Sequence, residues 1–124
     1  MLGDKTATAI VAVSDLERAR AFYGDALGLE LVADDGAVLG FRTGRTRLTV
    51  YESAGVRAGT GNAVAWSGGG DVEAIAAALR DRGVILEEYP ELGMEVENGV
   101  HRVEDFRAIW FKDPDGNVLH VNSM

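Results

Sequence analysis

Two histidines carry most of the chemistry that this sequence offers, because the chain has no cysteine. His120 lies in NVLHV near the end of the chain, where alternating aliphatic residues indicate a strand. An imidazole that titrates near neutral pH could act as a general acid or base, ligate a metal, or make a polar contact in a ligand cleft. We favour the cleft contact, then a purely structural hydrogen-bonding role, and then catalysis, because no residue that would orient a catalytic base is evident.

The second histidine, His101, lies in PELGMEVENGVHRVED, the longest irregular stretch of the chain. Long loops in compact domains often serve as lids or binding loops. A loop over residues 89–104 would bring His101, Met94 or Glu97 over a binding site, and a metal site that joins both histidines and a loop glutamate is conceivable. The alternative is a surface loop with solvated charges, which its acidic content favours.

Composition argues against several classes of function. Twelve basic and 20 acidic residues give a net charge of −8, and no basic stripe suited to nucleic acid is present. No apolar segment is long enough for a membrane span, and the first residues lack the pattern of a signal peptide. We therefore expect a cytoplasmic protein without nucleic-acid or membrane partners. The acidity gives only a slight preference for cationic ligands.

Two amphipathic helices must position these residues. The first lies in VSDLERARAFYGDALG, where Ser14 and Glu17 are predicted to form a capping box, and it ends at Gly28. The second is DVEAIAAALRDRG, which ends at Gly83. Apolar residues recur at intervals of three and four in both, so each helix is expected to pack one face against a sheet.

Strand-like runs surround each helix in the same order. TATAIVAV precedes the first helix and LELVAD, AVLGFR and RLTVYES follow it, whereas NAVAWS precedes the second and VILEEY, RAIWFK and NVLHVN follow that. Asp15 aligns with Asp71, and GFRTGRTRLTV aligns with WFKDPDGNVLHV, so that Phe41 falls on Phe111. The sequence therefore predicts one domain over 1–124 made of two βαβββ modules, approximately 5–53 and 62–123.

The residues of these modules carry a family resemblance. VSDLERARAFYGDALGLELV together with WFKDPDGNVLHV resembles the vicinal oxygen chelate superfamily, which includes glyoxalase I, the bleomycin and fosfomycin resistance proteins and the extradiol dioxygenases. The resemblance covers essentially the whole chain and implies an α+β fold, in which a curved mixed sheet of eight strands forms a cup with the helices outside. It also implies a homodimer. It says little about activity, because this scaffold hosts isomerases, dioxygenases, thiol transferases and metal-free binding proteins.

In the metal-dependent members of this family, the first and last strands of each module supply ligands that point into the cup. Carried over to this sequence, those positions hold Thr8, Thr49, Val64 and His120. A divalent transition metal needs about three good nitrogen, oxygen or sulfur ligands, and only His120 is one. The resemblance therefore predicts that the inherited metal site is absent and that no cofactor is bound.

Strand alternation predicts which residues form the walls of the cup. Arg47 is suited to orienting a carboxylate or phosphate, although Arg42 and Arg45 beside it also fit a solvated basic edge. Trp66 is suited to stacking on a planar ligand, whereas Trp110 is expected in the core. The predicted ligand-binding residues are Thr8, Ile10, Arg47, Thr49, Tyr51, Val64, Trp66, His120 and Asn122.

We therefore predict a metal-independent protein that binds a small organic molecule in the cup, as the metal-free resistance proteins of the family sequester a drug. Two alternatives remain open. One is a lyase, isomerase or dioxygenase with an atypical metal site, or with His120 as its acid or base. The other is an interaction module whose cup is filled by its own side chains.

Overall fold

The computed structural model describes residues 1–124 and divides them into two compact units, Met1–Val56 and Arg57–Met124. The two predicted modules fall one in each unit. Two helices and two mixed sheets give the α+β fold that the sequence predicts. No helix in the chain is long and apolar enough to cross a membrane.

The first unit contains a four-stranded sheet and one helix. Its strands are β1 (Ala9–Val13), β2 (Glu30–Asp34), β3 (Val38–Thr43) and β4 (Thr46–Glu52), and its helix is α1 (Leu16–Arg20). The strand order is β1-β4-β3-β2, with β1 parallel to β4 and the other pairs antiparallel. The chain that links the parallel pair runs through α1 and the two antiparallel strands, since parallel neighbours need a long connection.

Helix α1 begins differently from the predicted capping box. Asp15 is the N-cap, and its carboxylate accepts a hydrogen bond from the backbone N–H of Arg18 at 3.1 Å. The hydroxyl oxygen of Ser14 accepts a hydrogen bond from the Arg18 guanidinium at 3.0 Å. The predicted cap is therefore wrong by one residue, because the Asp15 carboxylate is the charged acceptor nearest the positive end of the helix.

Beyond Arg20 the helix continues as a wider turn over Ala21–Ala26, in which the N–H of Leu27 reaches back five residues to the carbonyl of Phe22 at 2.9 Å. Gly28 then ends it with a φ of 72°, as the sequence predicts. Buried apolar side chains from the helix and one face of the sheet form the core of this unit: Val11, Val13, Leu16, Ala19, Tyr23, Leu39, Phe41, Leu48 and Val50.

The second unit repeats this plan with additional strands. They are β5 (Asn62–Ser67), β6 (Leu86–Glu87), β7 (Glu95–Glu97), β8 (Val100–Val103), β9 (Phe106–Lys112) and β10 (Val118–Asn122), with helix α2 at Val72–Asp81. The order is β5-β10-β9-β8-β7, and β6 pairs with β9. Strand β5 is parallel to β10, so both sheets join their first and last strands in parallel. The buried core includes Val64, Val72, Ala76, Leu79, Ile109, Phe111, Leu119 and Val121.

The segment predicted as an irregular loop over residues 89–104 is largely a hairpin. Strands β7 and β8 pair antiparallel, and the turn between them contains Asn98 and Gly99, which both have positive φ. The chain therefore has ten strands rather than eight, and the prediction of one long loop is wrong. The two strands are only three and four residues long, which is too short for alternation to reveal them.

Candidate functional site

Four predicted wall residues lie on one face of the first sheet, and a fifth, Thr8, immediately precedes it. Ile10 pairs in register with Thr49, and alternation along β4 places Arg47 and Tyr51 on the same face. Thr8 precedes β1 and lines a groove together with Arg47. Ile10 is 60% exposed and Tyr51 is 36% exposed, so this face is accessible at both strands. Arg47, Thr49 and Tyr51 therefore share one face of β4, and the binding role of all five residues stays a prediction.

On the second sheet, two of the four predicted wall residues lie on the opposite face. Val64 pairs in register with Leu119, and Trp66 pairs with Val121, so both share a face with buried core residues. His120 lies on the other face of β10. The predicted orientation of Val64 and Trp66 is therefore wrong, and neither can line a surface beside His120.

The error has a local cause in strand β5. The pairing of β5 with β10 shifts by one residue between Val118 and Leu119, which leaves Ala63 as an extra residue and reverses the alternation. In the register that results, Ala65 lies beside His120 and Ser67 beside Asn122. Both Ala65 and Ser67 are exposed, so the protein surface next to His120 consists of small, accessible side chains.

An aromatic cluster surrounds Trp110 on the same face as His120. The two residues are partners in register, and their rings stack with centroids 4.5 Å apart and planes 25° apart. Tyr89 and His101 meet the indole edge to face at 5.5 and 4.8 Å. The indole N–H donates to the side-chain oxygen of Asn62 at 3.1 Å. Trp110 is half-buried, so its predicted place in the core is wrong, and it forms the centre of what we call the aromatic platform: Tyr89, His101, Trp110 and His120.

Hydrogen bonds fix the tautomer of His120. The backbone N–H of Met124 donates to Oδ1 of Asn122 at 3.0 Å, so the amide nitrogen of Asn122 faces the imidazole. That nitrogen lies 3.1 Å from Nε2, and Nδ1 lies 3.1 Å from the carbonyl oxygen of Ile109. Because a carbonyl can only accept, Nδ1 carries the proton and Nε2 accepts from Asn122. The ring is neutral, and the protein uses both of its nitrogens.

The surroundings of His120 also favour the neutral form. Burial lowers the pKa of His120 below the ordinary value of 6.5, and repulsion by His101 lowers it slightly further. The hydrogen bond to the Ile109 carbonyl opposes both effects. Only 7% of the surface of His120 is exposed, and both of its ring nitrogens are hydrogen-bonded within the protein. This geometry favours the structural role over both a polar ligand contact and catalysis.

His101 has a structural role in the same cluster. It lies on strand β8 and is completely buried, so the expectation of a loop residue that reaches over a site is wrong. Its Nε2 accepts a hydrogen bond from the backbone N–H of Tyr89 at 2.9 Å, and its Nδ1 lies 3.2 Å from the carbonyl oxygen of Gly99. The imidazole therefore links the segment that follows β6 to the β7–β8 turn, and both nitrogens are occupied.

Trp110 and Tyr89 are the residues of the platform that the sequence analysis missed. A signal was present for Trp110, because the repeat aligns Phe111 with Phe41, and Phe41 belongs to the core. Alternation then places Trp110 on the face opposite Phe111, together with His120. No comparable signal exists for Tyr89, which lies outside any strand and reaches the indole only through the local path of the chain.

The donor set does not fit a divalent metal ion. No group of three or more histidine, aspartate or glutamate side chains in the chain is arranged to hold one. Of the four family ligand positions, Thr8 and Thr49 offer only hydroxyl groups and Val64 faces the core. The nitrogens of His120 are both hydrogen-bonded within the protein. A site that joins His101, His120 and a glutamate does not fit this arrangement either, since both imidazoles would have to give up their present partners.

The paired βαβββ modules, each with parallel first and last strands and a candidate binding face, define a class of α+β proteins built by duplication. The comparison with family models identifies the class. Residues 5–121 match the Glyoxalase/Bleomycin resistance protein/Dioxygenase superfamily. The chain therefore belongs to this superfamily, in agreement with the resemblance seen in its sequence.

Solved structures with the same fold cover nearly all of the chain. The fosfomycin resistance protein FosX from Listeria monocytogenes has a TM-score of 0.75 at 16% identity, covering 96% of this chain and 92% of its own. Lactoylglutathione lyase from Agrobacterium tumefaciens has a TM-score of 0.70 at 21% identity, with the same two coverages. An integron cassette protein from the metagenome of the Halifax Harbour sewage outfall has a TM-score of 0.71 at 17% identity, covering 98% and 99%. No curated protein matches the chain significantly. At these identities the likeness shows the fold.

Proposed function

We propose that this protein binds a small planar organic molecule at the aromatic platform of its second unit, without a metal ion. The observation that carries the proposal is the stacked pair of Trp110 and His120 beside the exposed small residues Ala65 and Ser67. A flat ligand that lies over Ala65 would contact the edges of the two stacked rings. The second unit thus combines a rigid aromatic wall with an exposed surface of small side chains next to it. Planar ligands bind at surfaces of this kind.

The rigidity of the platform supports binding rather than packing alone. The indole of Trp110 is fixed by its hydrogen bond to Asn62, and His120 by hydrogen bonds at both nitrogens. A surface that is already ordered loses little side-chain entropy when a ligand arrives. Aromatic contacts of this kind contribute about 0.5–1.5 kcal/mol beyond the area they bury.

The enzyme alternative is less well supported by the same geometry. A general base needs a lone pair that faces the substrate, and the lone pair on Nε2 of His120 accepts from Asn122. The low pKa of His120 would suit a neutral base, but the geometry points the basic atom into the protein. Among the structural neighbours, one is named as a lyase and another as a resistance protein. On the geometry of His120 we propose that this chain holds its ligand, such as a drug or metabolite, unchanged.

Assembly and location belong to the same proposal. The family resemblance implies a homodimer, and the composition is compatible with a cytoplasmic protein. Sedimentation equilibrium across a range of protein concentrations tests the first. If the protein sediments as a monomer at every concentration, the dimer is contradicted while the platform is unaffected.

Binding is tested with three probes that share one ring system and differ in charge: quinoline, N-methylquinolinium and quinoline-2-carboxylate. In the W66F variant, Trp110 is the only tryptophan, so its fluorescence reports the platform alone. We expect saturable quenching by at least one probe. The A65L variant should raise the dissociation constant of that probe about tenfold, because the larger side chain covers the surface beside His120.

The matched control is A77L, which adds the same side chain to an exposed position of helix α2 and should leave quenching unchanged. Equal loss in both variants, or no saturable quenching by any of the three probes, would contradict a planar ligand at this face. Chromatography of the probes after incubation distinguishes binding from catalysis, because conversion of a probe would favour the enzyme.

A further inference from the structure

A second candidate site lies in the first unit, in a groove of about 390 Å³ at the turn between β3 and β4, where β4 begins. Three arginines and three threonines surround it, with one aliphatic residue as the apolar wall. The lining residues are Thr6, Thr8, Val32, Arg42, Arg45, Thr46 and Arg47. The chain has a net charge of −8, whereas the three arginines make this groove locally basic.

The charges of this arginine groove are incompletely neutralised. Arg42 lies 3.4 Å from a carboxylate oxygen of Glu30 and forms an ion pair with it. Arg45 and Arg47 have no acidic partner. Three guanidinium groups against one carboxylate leave two positive charges, which is the charge that a single dianion would neutralise.

The backbone beneath Arg47 is shaped for this side chain. A Cβ atom added to Gly40 would lie 3.0 Å from Nε and 3.2 Å from Cζ of Arg47. Both distances are shorter than ordinary van der Waals contact. The guanidinium therefore rests directly on the α-carbon of Gly40, in space that any other residue at this position would fill. The guanidinium thus lies against the sheet on the face that carries Thr49, the register partner of Gly40.

We propose that the arginine groove binds a tetrahedral dianion, the phosphate group of a small molecule. Guanidinium forks match the oxygen spacing of phosphate and donate two parallel hydrogen bonds. Thr6 and Thr8 line the same groove, and their hydroxyl groups can donate neutral hydrogen bonds. The hydroxyl of Thr46 donates to the carbonyl of Thr43 at 3.2 Å and is less available. This proposal does not rest on the aromatic platform, which lies in the other unit.

The competing account is a solvated basic edge with no preferred anion. All three arginines are exposed, so the affinity for a bare ion will be modest, with a dissociation constant on the order of 1 mM. The two accounts differ in selectivity, because a solvated edge attracts any anion through charge alone and responds equally at other exposed arginines.

The test is an NMR titration of the ¹⁵N-labelled protein at constant ionic strength with inorganic phosphate, sulfate and acetate. We expect saturable shifts with phosphate at the amides of Thr8, Thr46 and Arg47, and none at Arg82, an exposed arginine of the other unit. Sulfate should bind at the same amides, because it shares the shape and charge, and acetate should bind at least about fivefold more weakly. Equal binding of acetate, or equal shifts at Arg82, would overturn the proposal.

Two variants test the geometry. R47K keeps the charge but removes the planar fork, so phosphate affinity should fall by about fivefold, whereas R82K should not change it. G40A should have a similar effect by displacing the guanidinium, with G55A as control because its new Cβ meets nothing within 4 Å. Unchanged affinity in both R47K and G40A would refute the site. Binding of the quinoline probes at the platform should be unaffected, so the two proposals fail separately.

Discussion

The imidazole of His120 stacks on the indole of Trp110 with ring centroids 4.5 Å apart, and each ring is also tethered by hydrogen bonds to its own neighbours. The pair therefore belongs both to the candidate binding face and to the internal hydrogen bonding of the second sheet. A truncation of either residue would disturb both. Substitutions that keep a ring at these positions separate the two contributions.

Replacement of His120 by phenylalanine preserves a ring for stacking and removes both ring nitrogens. The carbonyl of Ile109 and the amide of Asn122 then lose their partners in a mostly buried environment. We expect the free energy of unfolding to fall by about 1–3 kcal/mol, measured by urea denaturation. The alanine variant should lose more, because it also leaves a cavity beside the indole. A phenylalanine variant as stable as the natural protein would show that these hydrogen bonds contribute nothing.

The low pKa of His120 predicts a dependence of stability on pH. The unfolded chain binds a proton at this residue near pH 6.5, whereas the folded protein resists protonation until a lower pH. The contribution is therefore fully present above pH 6.5 and is lost as the pH falls toward the folded pKa, with a slope of up to about 1.4 kcal/mol per pH unit.

Urea denaturation between pH 5 and 8, compared with the H120F variant, measures this contribution. The difference in unfolding free energy between the two proteins should be constant above about pH 7 and shrink below it. NMR titration of the His120 ring gives the folded pKa directly. If the difference grows on acidification, the sign of the pKa shift is contradicted.

The sequence predicted the first unit better than the second. Alternation along β4 correctly separates Arg47, Thr49 and Tyr51 from the buried Leu48 and Val50, because this strand is regular and seven residues long. Its partner β1 pairs with it without interruption, so alternation also predicts correctly that Ile10 lies on the face of Thr49. Period-two patterns are reliable where no residue is inserted into the ladder.

In the second unit, one inserted residue makes the prediction from alternation wrong for β5. The shift between Val118 and Leu119 reverses β5 relative to its counterpart β1, so Val64 and Trp66 face the core. An alignment of the two modules cannot detect a bulge, because the bulge depends on pairing with a strand far along the chain. The aromatic platform is also hard to predict, because Tyr89 lies outside any strand and His101 belongs to a strand of only four residues.

Gly99 lies in the turn of the hairpin that carries His101. Gly99 has a φ of 82°, and an added Cβ would overlap the Cβ of Leu86 in β6. We expect G99A to lower the free energy of unfolding by about 2–4 kcal/mol, combining backbone strain with overpacking. Gly93 is the matched control, because it has a φ of 83° but nothing within 4 Å of its added Cβ, so G93A should cost only about 1–2 kcal/mol. Urea denaturation followed by circular dichroism measures the free energy of unfolding of both variants. Equal losses in G99A and G93A would mean that Leu86 moves aside freely.

Metal ions should leave the stability of this protein unchanged. A ligand that binds only the folded state at 100 times its dissociation constant would add about 2.7 kcal/mol and raise the melting temperature. The donor set lacks three suitable side chains, and the nitrogens of His101 and His120 are already hydrogen-bonded. We therefore expect no saturable rise in melting temperature with nickel, zinc, manganese or iron(II) after treatment with a chelator. A saturable rise with one ion per chain that disappears in H120F would contradict this expectation, because the imidazole would then have exchanged Asn122 for the metal.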